Sequence, residues 1–316
     1  MKLQTNINLS KQSNNQIDYN SRVLLLGSCF AENIGHKFDY FKFQNSLNPF
    51  GILFHSLAIE NLLARAINEE KYTKEELILF NEQWHCLDAH SSLSNSSRDV
   101  LQNNINSAIN NLSIEIKDVS HVIITLGTSW VYRYLATDAV VANCHKIPQK
   151  QFSKELLSAD EVLESLQAII SLLKSINTKV AIILTISPVR HLKDGFLENS
   201  QSKAHLITAA HQLIDYRKKI FYFPSYEIMM DELRDYRFYN EDMVHPNPLA
   251  VKYIWEKFRE VWISEHAFEI MKSVDTIQKG LSHKPFNPNT ERHRVFQKNL
   301  EEKILDLQQQ LPNLQF

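Results

Sequence analysis

Four short apolar runs, separated by stretches with helical periodicity, constrain the fold of this chain more than any other feature. The runs are residues 23–27, 121–126, 179–186 and 220–223. Strands that are apolar at nearly every position are typical of parallel sheets buried on both faces, because a sheet with one wet face shows alternation instead. The pattern therefore predicts an α/β protein with three layers, in which helices cover both faces of a parallel sheet.

Helical segments are predicted between these runs. Ser158 and Glu161 form a capping-box pattern, and the apolar residues that follow recur with the 3.6-residue period of a helix. Asn247 and Pro248 suit the first positions of another helix, because Asn caps well and Pro at the first helical position loses no hydrogen bond. Further helices are predicted at 55–67, 98–112, 206–216 and 226–233, and β-hairpins at 78–87 and 130–142.

The chain is predicted to divide into three parts. Residues 1–21 are interpreted as a loosely structured leader, residues 22–272 as the α/β domain, and residues 273–316 as a linker followed by a C-terminal helix. This helix, expected at 290–311, carries a thin apolar stripe that includes Leu300 and Leu307. Such a stripe either packs back on the domain or forms a homodimer, and the sequence leaves both open.

Charge and hydropathy exclude several classes of partner. Lys and Arg number 34 and Asp and Glu 36, which gives a formal net charge of −2 and predicts no nucleic-acid partner. No apolar run approaches the ~18–20 residues that span a bilayer, so no membrane partner is expected. The polar N-terminus has no apolar core of signal-peptide length, which predicts a cytoplasmic protein.

Metal ions and cofactors are not expected. The three cysteines, Cys29, Cys86 and Cys144, form neither a disulfide framework nor a zinc spacing. The thirteen histidines show none of the paired spacings that place two zinc ligands on one helix. The sequence therefore predicts neither a metal nor a cofactor.

The first apolar run ends in Gly27-Ser28, and the segment after it opens a helix. A serine at such a junction lies beside the free N–H groups of the first helical turn, which stabilise a developing oxyanion. Gly127 and Ser187 end two other predicted strands, and ligands of such sheets bind at the carboxyl ends of the strands. Far along the chain, Asp242 and His245 supply an acid and a base three residues apart. Together these features indicate a serine hydrolase.

Four motifs occur in an order that is similar to a known family. They are Gly-Ser-Cys-Phe-Ala at 27–31, Asn-Pro-Phe-Gly at 48–51, Thr-Leu-Gly-Thr-Ser at 125–129, and the pair Asp242 and His245. The set resembles the GSCFA-domain family within the wider SGNH/GDSL-like hydrolase group, over residues 22–258. Residues 143–146 and 187–189 resemble that family too. The resemblance implies a flavodoxin-like sheet, with Ser28 as nucleophile, His245 as base and Asp242 as the acid that orients His245.

The same resemblance implies an oxyanion hole. In the wider group its donors are the N–H of the serine, a glycine N–H and an asparagine side chain. Here Ser28 and Gly51 match the first two, and Ser129 stands at the position of the asparagine, with Asn48 as another candidate donor. A missing donor costs roughly 10²–10³ in rate.

The surrounding loops are expected to bind substrate. Asn48, His145, Arg190 and His191 are the predicted contacts, and Lys203 is a further candidate. The expected reaction is hydrolysis of a small-molecule or carbohydrate ester through an acyl-enzyme, including deacetylation.

Other interpretations remain open at this point. An acyltransferase would use the same residues, and a non-catalytic ligand- or glycan-binding protein would keep the fold, as would an oligomeric scaffold built through residues 290–311. Cys29 or Cys144 would be a rival nucleophile if its thiol ionised beside a histidine. His145 is as well explained by a structural role, and basic residues in loops are often solvated.

Overall fold

The structure is a computed structural model that describes residues 5–316. The strands are β1 Arg22–Gly27, β2 Gln44–Leu47, β3 Leu77–Phe80, β4 Gln83–Cys86, β5 His121–Leu126, β6 Trp130–Tyr134, β7 Ala139–Val141, β8 Phe152–Leu156, β9 Ala181–Ile186 and β10 Ile220–Phe223. The helices are α1 Cys29–Tyr40, α2 Ser56–Ile67, α3 Arg98–Asp118, α4 Ala159–Ile176, α5 Phe196–Gln212, α6 Ser225–Glu227, α7 Pro248–Trp262, α8 Glu265–Ser282 and α9 Glu291–Gln310. A π-helical segment, Ile228–Leu233, continues from α6.

A parallel sheet forms the centre of the molecule, as predicted. Within residues 5–316 it has five strands in the order β2-β1-β5-β9-β10, and every pairing is parallel. This order is that of flavodoxin-like folds, in which the chain direction across the sheet reverses between the first and third strands in sequence. Here that switch point lies between β1 and β5. The carboxyl ends of these two strands, where ligands of such folds bind, therefore lie beside Ser28.

Helices cover both faces of the sheet, which confirms the three-layer α/β prediction. Alternate residues of β1 point to opposite faces: Leu24 and Leu26 join the core beneath α2, α3, α4 and α5, whereas Val23 and Leu25 join the core beneath α1, α7 and α8. Burial on both faces explains why the core strands read as continuous apolar runs.

Two smaller antiparallel sheets extend from the loops. The predicted hairpins are present as β3-β4 and β6-β7. The strand β8 pairs with β6 and was not predicted, because its sequence lacks a run of β-forming residues. The sequence also did not predict β2, an edge strand whose four residues are all only half-buried, or α8. The helix predicted at 206–216 is instead α5, which begins ten residues earlier.

The N-terminal segment departs from the expected loose leader over residues 12–21, although residues 1–4 lie outside the described part. Ile17 is fully buried, pairs with Ile263, and donates its N–H to Trp262 O. Tyr19 stacks on Phe43 with ring centroids 4.4 Å apart. The apolar side chains of this segment thus belong to the core, which its polar average composition concealed.

The C-terminal helix packs back on the domain. Leu307 and Leu314 are buried in the same core as α7 and α8, and Leu300 lies against Gly280. The boundary expected at 272/273 falls inside α8, which ends at Ser282. Dimerisation through α9 stays a prediction. None of the helices in residues 5–316 is long and apolar enough to cross a membrane.

Candidate active site

Ser28 lies between the end of β1 and the start of α1. Gly27 before it has φ +134°, and a Cβ at Gly27 would stand 2.1 Å from Thr125 O, so only glycine lets β1 approach β5 this closely. Ser28 caps α1: its Oγ accepts the N–H of Phe30 at 3.4 Å, a long hydrogen bond. The serine is fully buried in this structure. The strand-to-helix junction therefore presents a sheltered hydroxyl whose existing bond is weak.

Asn48 lies beside the same junction. Its backbone N–H donates to Leu25 O, and its side-chain Oδ1 accepts the N–H of Gly27 at 2.9 Å. This bond fixes which way the amide points, because only the oxygen accepts. Asn48 Nδ2 is buried and has no hydrogen-bond partner within residues 5–316. A buried donor without a partner next to a serine is a candidate for binding a ligand oxygen.

Gly127, after β5, brings a histidine to Ser28. A Cβ at Gly127 would lie 3.1 Å from His191 Nε2 and 3.2 Å from Ser28 Cβ. The ring of His191 meets the ring of Phe54 edge-on, with centroids 5.4 Å apart, and its backbone N–H donates to Asn199 Oδ1. His191 Nε2 is a second buried nitrogen without a partner in the described part of the chain. The absence of a side chain at Gly127 thus leaves room for His191 beside the serine.

Asp242 and His245 form the hydrogen-bonded pair that their spacing predicted. Asp242 Oδ2 accepts from His245 Nδ1 at 2.7 Å, while Oδ1 accepts the backbone N–H groups of Val244 and His245. These two N–H groups, followed by the imidazole, lower the pKa of Asp242 to about 2. Because the carboxylate holds the proton on Nδ1, Nε2 of a neutral His245 is free to accept one.

The two halves of the site converge on His191. The turn that holds Asp242 and His245 is tied to the loop after β9, because Arg190 N–H donates to Val244 O at 3.2 Å. The next residue, His191, lies near enough to His245 for the charge of the latter to lower its pKa. Within residues 5–316, no hydrogen bond joins Ser28 Oγ to His245, and His191 Nε2 has no hydrogen-bond partner either.

The three predicted oxyanion donors are engaged elsewhere in this structure. Ser28 N–H donates to Thr125 O at 3.0 Å, and Gly51 N–H donates to Asn48 O at 2.7 Å. Ser129 is fully buried, and its Oγ donates to Ser202 O at 3.3 Å. In the described part of the chain, the buried side-chain nitrogens without a partner in this region are instead Asn48 Nδ2 and His191 Nε2.

Lys203 of α5 lies beneath the site. Its Nζ donates to Gly127 O and to Ser187 O, both at 2.7 Å, and so ties the ends of β5 and β9 together. The side chain is only 2% exposed, and burial lowers its pKa to about 7. Lys203 shares a helix face with Leu206 and Ala210, at a spacing of three and seven residues. That spacing would have placed Lys203 on the buried face had the helix been predicted to begin before residue 206.

The remaining predicted contacts, His145 and Arg190, pack against residues other than Ser28. His145 is buried beside His85 and His90; its Nε2 donates to Cys86 O, and burial lowers its pKa to about 4. Arg190 stacks on Tyr239 and Tyr236, with its guanidinium carbon 4.2 and 4.9 Å from the ring centroids. The structure therefore keeps Arg190 next to the acid–histidine turn and sets His145 in the neighbouring hairpin region.

The cysteines do not have the properties of nucleophiles. Burial, then the charge of Glu32, raises the pKa of Cys29, and burial raises the pKa of Cys144 to about 11. A raised pKa leaves less thiolate at neutral pH, and only the thiolate is a strong nucleophile. Residues 5–316 contain no group of three or more His, Cys, Asp or Glu placed to hold a metal ion.

Fold and site together define an α/β protein of flavodoxin-like topology, with a serine at its switch point and a carboxylate–histidine pair tied to the same edge of the sheet. Comparison with known families agrees with the motifs: the GSCFA family model matches residues 22–258, and the model described as GSCFA domain protein, C-terminal domain, matches residues 274–316. The chain belongs to the GSCFA family. A search of curated proteins finds no matching relative.

Proposed function

We propose that this protein is a serine hydrolase of the SGNH type, which cleaves small-molecule or carbohydrate esters through an acyl-enzyme. The observation that carries the proposal is the 2.7 Å hydrogen bond from His245 Nδ1 to Asp242, on a turn tied to the loop that reaches Ser28. A serine hydroxyl is a weak nucleophile until an imidazole accepts its proton, and that imidazole needs a carboxylate to hold its tautomer.

In the proposed reaction Ser28 Oγ attacks the acyl carbonyl and its proton passes to His245 Nε2. The protonated imidazole, stabilised by Asp242, then donates that proton to the leaving alcohol. Water attacks the acyl-enzyme with His245 again as base, and releases the acid and free Ser28. A second alcohol in place of water would make the protein an acyltransferase with the same residues.

Asn48 is the side-chain donor to the oxyanion in this proposal. Its amide is already oriented by Gly27, and its Nδ2 lies buried without a partner. A preoriented donor needs no reorganisation as negative charge develops, which is the source of most oxyanion stabilisation. The predicted donor groups of Ser28, Gly51 and Ser129 would each have to break an existing hydrogen bond first.

A non-catalytic ligand-binding protein is the second candidate. The observation that favours it is the complete burial of Ser28, whose hydroxyl serves α1 as a helix cap. In a binding protein that hydroxyl would never meet a substrate. In a hydrolase, the residues over Ser28 must move aside during each turnover.

Labelling with a fluorophosphonate, which reacts with activated serines, separates the two candidates. We expect the wild type to be labelled at Ser28 and the Ser28→Ala variant to remain unlabelled. Ser56→Ala is the matched control, because Ser56 is also a buried serine at the start of a helix, and this variant should label like the wild type. A folded wild type that resists labelling would refute the hydrolase proposal.

A further inference from the structure

Two buried side-chain nitrogens without partners lie near the Ser28 junction, within the described part of the chain. Asn48 Nδ2 approaches from the Gly27 side, and His191 Nε2 approaches from the Gly127 side. Native structures leave few buried polar atoms unpaired, so two in one place require a reason. A ligand oxygen that reached either nitrogen would give it a partner.

Resting on the proposed hydrolase function, we infer that His191 is a catalytic residue, whose Nε2–H donates to the oxyanion in place of the asparagine that SGNH enzymes carry where this chain has Ser129. Ser129 is already engaged, because its hydroxyl donates to Ser202 O. His191 comes from the loop after β9, a different part of the chain, and fills the same role from across Gly127.

The surroundings of His191 keep its ring neutral. Burial, followed by the positive charges of Lys203 and His245, lowers the pKa of His191 to about 3. A neutral imidazole has one N–H and can be a donor that does not lose its proton to the reaction, whereas an imidazolium would protonate the leaving group or the solvent. His245 lies on an exposed turn and pairs with a carboxylate, so the two histidines have opposite roles.

The ring of His191 is also held in place. Its backbone N–H donates to the buried Asn199, and its ring packs edge-on against Phe54. The neighbouring Gly127 is fixed as well, because Lys203 Nζ donates a hydrogen bond to Gly127 O. A donor whose backbone and ring are both held needs little reorganisation when negative charge develops.

Three substitutions at residue 191 test the inference with p-nitrophenyl acetate as substrate. His191→Gln places an amide N–H near the position of Nε2, His191→Asn has an amide too short to reach it, and His191→Phe keeps a ring against Phe54 without any N–H. We expect His191→Phe and His191→Asn to lower kcat by roughly 10²–10³ with KM changed less than about threefold. His191→Gln should recover at least tenfold of that loss.

Two outcomes would overturn the inference while the hydrolase proposal stands. One is a Ser28-dependent labelling of the wild type together with unchanged kcat in His191→Phe. The other is a change confined to KM, which would make His191 a substrate contact only. A wild type that no fluorophosphonate labels would refute both proposals at once.

The protonation of His191 can also be tested in the wild type by NMR, without any substitution. The ¹⁵N shifts of the histidine side chains report which ring nitrogen carries the proton. We expect the proton of His191 on Nε2 at neutral pH, and a downfield shift of that proton when a phosphonyl oxygen occupies the hole after labelling. A proton on Nδ1, with Nε2 bare in both states, would contradict the inference.

Discussion

Replacing Lys203 by methionine tests how the protein uses a buried charge beneath its candidate active site. Methionine has a similar length and no charge. The substitution removes the two 2.7 Å hydrogen bonds to Gly127 O and Ser187 O. Each carbonyl left without a partner lowers the free energy of unfolding by about 1–3 kcal/mol, and this loss does not depend on pH.

The pH dependence of stability carries the more specific prediction. Burial lowers the pKa of Lys203 from its ordinary value of 10.5 to about 7, so between these values the unfolded chain binds one proton more than the folded chain. The free energy of unfolding then rises with pH in this window. The contribution of Lys203 to it is complete above pH 10.5 and is lost as the pH falls to and through 7. At about 1.4 kcal/mol per pH unit, the whole window corresponds to about 5 kcal/mol.

Urea unfolding of the wild type and of Lys203→Met at pH 7, 8 and 9 measures this contribution. Comparing the two proteins at each pH cancels the titration of groups whose pKa does not depend on Lys203, such as Tyr19 and Cys144. We expect the difference in unfolding free energy to grow by about 2 kcal/mol from pH 7 to 9, in favour of the wild type. Lys252→Met, at an exposed lysine, is the control and should show no such trend. A wild-type advantage that stays constant across this range would refute the reasoning.

Three further predictions address the catalytic pair, the donor and the sheet. Asp242→Asn would present an N–H to His245 Nδ1 and favour the wrong tautomer; we expect kcat on p-nitrophenyl acetate to fall by up to about 10⁴, and a loss below tenfold would contradict the triad. Asn48→Asp keeps the acceptor for Gly27 N–H but replaces the free donor by a negative oxygen, so kcat should fall by at least roughly 10²–10³. Gly27→Ala combines a disallowed φ with a 2.1 Å approach to Thr125 O and should cost about 3–5 kcal/mol by urea unfolding. Gly280→Ala, in a helix and facing only the movable end of Leu300, should lie within about 1 kcal/mol of the wild type.

The order of the core elements could be derived from the sequence with physical reasons. The runs at 121–126 and 220–223 are strands with the predicted bounds, and Ser158 caps α4 as its pattern with Glu161 required. These features depend on local periodicity and on capping, which are written into neighbouring residues. Two of the missed elements, β2 and β8, are short and mostly half-buried, and they are strands only because β1 and β6 offer them partners.

Part of the candidate site could also be predicted from the sequence. Asp242 and His245 are three residues apart, so one turn sets their contact, and a motif suffices to predict it. Gly27 and Ser28 end an apolar run, and the carboxyl end of a parallel strand is where ligands bind.

The surroundings of Ser28 were decided by tertiary structure alone. Residues 48, 127, 191 and 203 are far apart in the chain and meet only because β1, β5 and β9 end at one edge of the sheet. The sequence could place a serine at that edge and a base on a late turn. Whether a given N–H is free depends on every neighbour that competes for it, and those neighbours are assembled only by the fold. For this reason Ser129, the match by position, is hydrogen-bonded to Ser202, while Asn48 and His191 each keep a buried side-chain nitrogen without a partner in the described chain.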